Sequence, residues 1–382
     1  MSDEPMENSG HTEGMQGSVS ESLLTKLHQA GQQQADGNMA EAEQAYEVIL
    51  EQEPDNKFAN QLLGGMALQK GDFQRAHKFV SKALAVDPNN EELNSNLGIV
   101  LIKLQRLDEA IHYFNQALLL QPGYAAAHNG LGTALREQGN TEKALMHHIQ
   151  ALAAQPNDHR MRNNYANSLR ELGRTDEAIE QYSTALESTY GDPDTHYNLG
   201  VLFESLEQLD RACDHYKKAL KTDPNHPEVN FNLGNVLQSL GQLETAMEKY
   251  KKVIEVMPDH AKSHVNLGHA LLKSGDKKGA ENHWRQALVI NNEFADAHVN
   301  LALLNFELGN ISEGWKGFEW RNKAESYGSP QRQFPQPNWD GSPLNGKEII
   351  LWGEMGLGDE ISYASMIPDV LRQGGKVTIE CT

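Results

Sequence analysis

Cysteine is almost absent. Cys213 and Cys381 are the only two in 382 residues, and they lie in different regions of the chain. Neither a disulfide framework nor a cysteine-rich metal site can be built from them. A reducing compartment, the cytoplasm, is therefore the expected setting. No run of about 18 or more apolar residues occurs, so no membrane-spanning helix is expected. The N-terminus lacks the charged-then-apolar pattern of a signal peptide. Basic charge is also scarce, since 33 Lys and Arg stand against 53 Asp and Glu, a formal net charge of −20. Nucleic acids and anionic membrane surfaces need a basic face. What remains as a partner class is polypeptide.

What the chain has is a repeat. Residues 227–260 set a frame of 34 residues. Shifting by that length brings up Pro54, Pro88, Pro122, Pro156, Pro224 and Pro258 at one place, with Tyr190 and Asn292 completing the series. A small residue recurs at Gly64, Gly98, Gly132, Ala166, Gly200, Gly234, Gly268 and Ala302. Alanine recurs at Ala42, Ala76, Ala110, Ala144, Ala178, Ala212, Ala246 and Ala280. Within one unit Leu233, Val236, Leu237 and Leu240 make a helical stripe. Gly241 follows, where a helix closes cheaply in the left-handed region. Ala246, Tyr250, Val253, Ile254 and Met257 carry a second stripe, and Pro258 cannot continue the hydrogen-bond ladder. Gly234 and Ala246 are small so that the two helices approach closely. One such hairpin cannot bury its apolar face alone, so the hairpins must stack.

The period and the Leu-Gly, Ala, aromatic, Pro pattern resemble the tetratricopeptide repeat. The resemblance covers residues 23 to about 328. It implies an all-α fold, a right-handed superhelical solenoid of about eight repeats with a capping helix pair. Residues 1–22 are acidic and poor in apolar groups, and read as a disordered tail. The proline-rich residues 329–346 read as a linker. Residues 347–382 read as strand, glycine-rich loop, helix and strand, the first βαβ of an incomplete Rossmann-like α/β domain. Two strands and one helix are too little for a domain, so a fragment of a longer protein is expected. Trp315, Phe318 and Trp320 are expected to cover the last helix pair.

The sixth position of the repeat is asparagine at Asn96, Asn164, Asn198, Asn232, Asn266 and Asn300, with His28, Leu62 and Gly130 as exceptions. First helices of stacked hairpins line the inner surface, so these amides would form a row of paired donors and acceptors. Such a row can hold the backbone of an extended polypeptide in a concave groove. The competing reading gives each Asn a local structural bond. Asn is a mediocre helix former, so six on one face ask for a reason. The ladder, with segments such as AAAHNGLGTALREQGNTEKAL at 125–145, is similar to that of O-linked N-acetylglucosamine transferases. That resemblance implies asparagines that hold substrate proteins. His128, His196, His264 and His298 recur at the fourth position and read as packing residues. No metal site and no cofactor is expected.

Residues 353–360, GEMGLGDE, form the one stretch suggesting chemistry. They match neither a dinucleotide fingerprint nor a P-loop. Backbone N–H groups at a helix N-terminus after a strand favour anions. Asp359 is either the helix cap or a general base. With the preceding W-x-G-x-x-L-x-G-K, at 339–347, this stretch looks like bacterial tetratricopeptide proteins that continue into a glycosyltransferase domain. That domain is similar to the heptosyltransferases of lipopolysaccharide synthesis. The resemblance implies Asp359 as the base of an inverting transfer, with Gly356 and Gly358 at the acceptor side, and a nucleotide-sugar donor whose binding half is absent here. The expected function is thus a peptide-binding solenoid selecting substrates for a glycosyltransferase. The alternative is a non-catalytic scaffold.

Overall fold

The computed structural model describes residues 12–188, 191–324, 339, 342–352 and 367–380. The chain divides into two compact units, 1–206 and 207–382. In the first, eleven helices follow in order: α1 (Thr12–Ala35), α2 (Met39–Gln52), α3 (Lys57–Gln69), α4 (Phe73–Val86), α5 (Glu91–Lys103), α6 (Leu107–Leu120), α7 (Ala125–Glu137), α8 (Thr141–Ala154), α9 (His159–Glu171), α10 (Thr175–Ser188) and α11 (Pro193–Ser205). The second holds α12 (Leu209–Ala219), α13 (Pro227–Ser239), α14 (Leu243–Val256), α15 (Ala261–Lys273), α16 (Lys277–Ile290), α17 (Ala295–Glu307) and α18 (Ile311–Phe318). A 3-10 turn (Glu319–Lys323), β1 (Glu348–Trp352), α19 (Ile367–Arg372) and β2 (Lys376–Glu380) complete it. The all-α solenoid expected from the 34-residue period is present. Its first helix starts at Thr12, inside the stretch expected as a disordered tail, and is anchored by buried Leu23 and Ala30.

One steric fit repeats along the stack. In several hairpins the small residue on the first helix faces a large ring on the second. A Cβ at Gly98 would lie 2.7 Å from the Phe114 ring, at Gly234 2.6 Å from Tyr250, and at Gly268 2.4 Å from Trp284. Tyr46, Phe114, Tyr182, Tyr216, Tyr250 and Trp284 occupy this large-residue position and are fully buried. Buried Ala42, Ala110, Ala178 and Ala246 let the second helices come close. First helices close on a left-handed residue as expected: Gly71, Gly139, Gly173, Gly241, Gly275 and Gly309 all have positive φ. Gln105 and Glu207 take that place in two repeats, at φ 59° and 58°, where a side chain is strained.

The final hairpin is closed by aromatics. Phe306, Trp315 and Phe318 meet edge to face at 5.1–5.9 Å, and Trp320 stacks on His298 at 4.2 Å. A Cβ at Gly314 would strike the Phe306 ring at 2.4 Å, which accounts for glycine where the repeat has alanine. In the C-terminal segment β1 and β2 pair in parallel, Glu348 opposite Lys376 through Trp352 opposite Glu380. Leu344 is buried, and a Cβ at Gly375 would lie 2.5 Å from its side chain. The Leu344 and Gly346 N–H groups donate to the Gln373 and Gly374 carbonyls, tying 344–346 to the turn before β2. This is the strand, helix, strand order expected of the segment.

Candidate peptide-binding face

First helices pack directly on one another along the stack: α5 on α7, α7 on α9 and α9 on α11 in the first unit, α13 on α15 in the second. Second helices pack on the first helix of the next hairpin. The side carrying the first helices is therefore the tighter, inner side of each unit. All six ladder asparagines sit there half-buried, neither sealed in the core nor fully in solvent.

Asn164, Asn198 and Asn266 bond across neighbouring first helices. Asn164 Nδ2 donates to Asn129 Oδ1 at 3.0 Å, Asn198 Nδ2 to Asn163 Oδ1 at 3.1 Å, and Asn266 Nδ2 to Asn235 Oδ1 at 2.8 Å. The row is thus partly engaged within the scaffold. Each bond uses one of two amide hydrogens, and the Oδ1 atoms of Asn164, Asn198 and Asn266 accept nothing from the described residues. The bonds fix the orientation of the amides and leave acceptors free. Nδ2 of Asn300 is buried without a partner.

The exceptions in the row have a structural cause. A Cβ at Gly130 would lie 2.3 Å from the Phe114 ring, so no side chain fits there. Leu62 and His28 line an open depression of about 460 Å³ with Leu27, Gly31, Gln32 and exposed Phe58. The row of amides is therefore preceded, in the first unit, by an apolar recess. Asn167, three residues beyond Asn164, does not face the groove freely. It accepts the Tyr182 hydroxyl at 2.6 Å, and burial pushes that phenol up to about 12.

A second polar row appears that the sequence reading passed over. The fourth residue of the repeat donates to the carbonyl at the proline place six residues earlier. Asn60, Asn94 and Asn230 reach Pro54, Pro88 and Pro224 at 3.0, 3.1 and 3.0 Å. Arg162 reaches Pro156 at 2.6 Å. His128, His264 and His298 reach the carbonyls of Pro122, Pro258 and Asn292 at 2.9, 3.3 and 2.8 Å. These histidines clamp the inter-repeat turn and are not mere packing residues. The detectable signal was a donor, of changing residue type, always six residues after the proline place.

The expected chemical residues Asp359, Gly356 and Gly358 lie outside the described residues. Among the described residues, no group of three or more His, Cys, Asp or Glu is placed to hold a metal ion, and no helix is long and apolar enough to cross a membrane.

Hairpins stacked in this way, with first helices inward, define a helical-repeat solenoid. Tetratricopeptide-repeat family models match residues 33–91, 91–157, 149–194, 163–227, 215–248, 235–275 and 265–314. The chain belongs to the tetratricopeptide-repeat family. Protein FlbA of Caulobacter vibrioides is 36% identical over 74 residues, which are 19% of this chain and 12% of FlbA. The chain thus spans a small part of that relative's length. Among solved structures, the APC/C hetero-tetramer Cut9-Hcn1 matches with a TM-score of 0.55 at 18% identity, over 70% of this chain and 53% of that one. PilF of Pseudomonas aeruginosa matches with a TM-score of 0.50 at 20% identity, over 56% of this chain and 96% of that one. These likenesses show the fold. As a tetratricopeptide solenoid the chain is a protein-interaction scaffold.

Proposed function

We propose that the inner face of the first helices binds an extended polypeptide, and that the sixth-position asparagines hold its backbone. The observation that carries this reading is the half-buried amides of Asn164, Asn198 and Asn266, oriented by Asn–Asn bonds, whose Oδ1 atoms accept nothing from the described residues. Neighbouring packed helices lie about 8–10 Å apart. An extended chain advances about 3.3 Å per residue, so one amide meets the peptide roughly every third residue. Contacts at that interval hold main chain and leave side-chain choice to other groups, such as the Leu27, Phe58 and Leu62 recess. The strongly acidic protein disfavours nucleic acid and anionic membrane surfaces as the bound partner, which leaves polypeptide.

In this reading the solenoid is the substrate-selecting arm of a nucleotide-sugar-dependent glycosyltransferase of the cytoplasm, with Asp359 the base acting on an acceptor hydroxyl. The support is the GEMGLGDE stretch following β1, and the parallel pairing of β1 with β2. Two experiments test the parts separately. A photo-crosslinking residue at Asn198 should capture a bound peptide, whereas the same residue at exposed Leu119 on a second helix should not; equal capture removes the groove. Asp359→Ala should abolish sugar transfer by the intact protein while peptide binding persists. Unchanged transfer removes the base, and no transfer by the wild type leaves the scaffold alone.

A further inference from the structure

Two hairpins, one in each unit, contain the same imidazole pair. Nδ1 of His128 on α7 lies 3.1 Å from Nδ1 of His147 on α8, and Nδ1 of His264 on α15 lies 3.1 Å from Nδ1 of His283 on α16. Ring centroids are 5.3 Å apart in both pairs. A centroid separation only about 2 Å longer than the nitrogen gap means that the two Nδ1 atoms point at each other nearly head-on. In each pair the first-helix ring also turns Nε2 to a proline-place carbonyl, so Nε2 carries a hydrogen. One pair thus joins three pieces of chain: the turn before the hairpin, its first helix and its second.

Proton counting fixes what such a pair tolerates. When both rings are neutral, the first ring keeps its hydrogen on Nε2, and its bare Nδ1 accepts N–H from the second ring's Nδ1. One added proton leaves a single hydrogen between the facing nitrogens, and the bond becomes charge-assisted. A second added proton puts N–H against N–H at 3.1 Å between two cations. The geometry cannot hold that state. We propose that the paired histidines are acid-sensitive latches: each accommodates one proton, refuses the second, and releases the hairpin and its preceding turn as the pH falls.

The surroundings act in the same direction. Burial, and then the facing imidazole, hold His147 and His283 below the ordinary histidine range, and burial does the same to His264. Buried His148 beside the first pair is pushed down to about 4 by burial and by Arg136. Lys251 reinforces the effect at His283, while Asp276 opposes it. His260, the cap of α15, is itself lowered by burial, by Lys262 and by His264, with Asp259 opposing. The refused proton binds freely once the chain unfolds, where histidine titrates near 6.5. Folded-state affinity for that proton is lowered. The latch therefore stabilises fully above about pH 6.5 and loses its contribution as the pH drops below it.

The array itself supplies the control. The hairpin of α9 and α10 makes the same connection with groups that do not titrate in this range: Arg162 donates to the Pro156 carbonyl and to Gln181 Oε1, at 2.6 and 2.9 Å. Elsewhere Asn60, Asn94 and Asn230 donate to the turn carbonyl and to the carbonyl four residues earlier, again without a titrating group. By sequence, His196 and His215 repeat the 19-residue spacing of the two described pairs.

The test compares the whole chain with a double variant, His128→Asn and His264→Asn, which keeps the turn clamp and removes the pairing. Denaturant midpoints are measured from pH 7.5 to pH 5. The wild type should lose stability with falling pH, taking up about two more protons on unfolding than the variant, one for each pair. Parallel profiles would overturn the proposal. Nitrogen NMR of the imidazoles gives a second readout that does not depend on how the variant folds. In the folded wild type each pair should gain one proton while its hairpin stays intact. Two cationic rings in an intact hairpin would overturn it as well.

Discussion

The helical hairpins and the C-terminal strand pair bury their apolar groups very differently. Tyr250 and Trp284 have essentially no exposed surface, because each is enclosed by its own hairpin and the next. In the β1–β2 segment, by contrast, Ile350 and Ile379 are 41% and 45% exposed, and among its described residues Leu344 alone is a buried apolar residue. Parallel strands are ordinarily covered on both faces. A hairpin in the array has a neighbour on each side to bury it, whereas this strand pair presents apolar side chains to solvent. The same sequence property, a short apolar run, thus gives a core in one region and an exposed face in the other.

That contrast can be broken from its strongest side. Tyr250→Ala should destabilise the second unit by about 3–5 kcal/mol, because it empties a fully enclosed site, and it also removes the hydroxyl bond to Asn235. Ile350→Ala should change stability by about 0.5 kcal/mol or less. Thermal and denaturant unfolding of the two variants would show the difference; similar losses would mean that the strand pair is covered after all. Next in size is Gly268→Val. It forces a branched side chain onto the Trp284 indole, and about 1–3 kcal/mol of overpacking should appear as a lower midpoint. One effect has the opposite sign. Gln105→Gly relieves a left-handed side chain and should raise stability by about 0.5–1 kcal/mol, net of the added chain entropy. A loss at that site would show that Gln105 makes a contact outweighing its strain.

The scaffold was legible because its constraints are steric and fall on one residue type. Only a small residue fits against Phe114, Tyr250 or Trp284, so the same letter returns every 34 residues. The clamp at the fourth position obeys an equally strict rule, yet asparagine, histidine and arginine all satisfy it, and the rule is invisible to a search for identical letters. The amide ladder was legible as a row, but its bonding was not. That Asn164 would bind Asn129 while Asn266 binds Asn235 depends on how adjacent helices are offset, which spacing along one helix does not encode. The gap at Gly130 likewise follows from a ring contributed by the preceding hairpin. The start of α1 was misplaced because composition alone argued for a tail, whereas the helix runs on from its buried anchor at Leu23.

The central claim is that free amide oxygens on the first helices accept hydrogen bonds from the backbone of a bound chain. The direct measurement selects a binding peptide from a random library, then compares its affinity with that of copies N-methylated at single backbone positions. Methylation at positions about three residues apart should weaken binding roughly tenfold or more, the cost of a backbone hydrogen bond to a groove left unpaired. The Asn164→Ala, Asn198→Ala double variant of the first unit should bind the unmethylated peptide as weakly and stop distinguishing it from the methylated copies. Equal affinity for every methylated copy, or full binding by the double variant, would contradict the account.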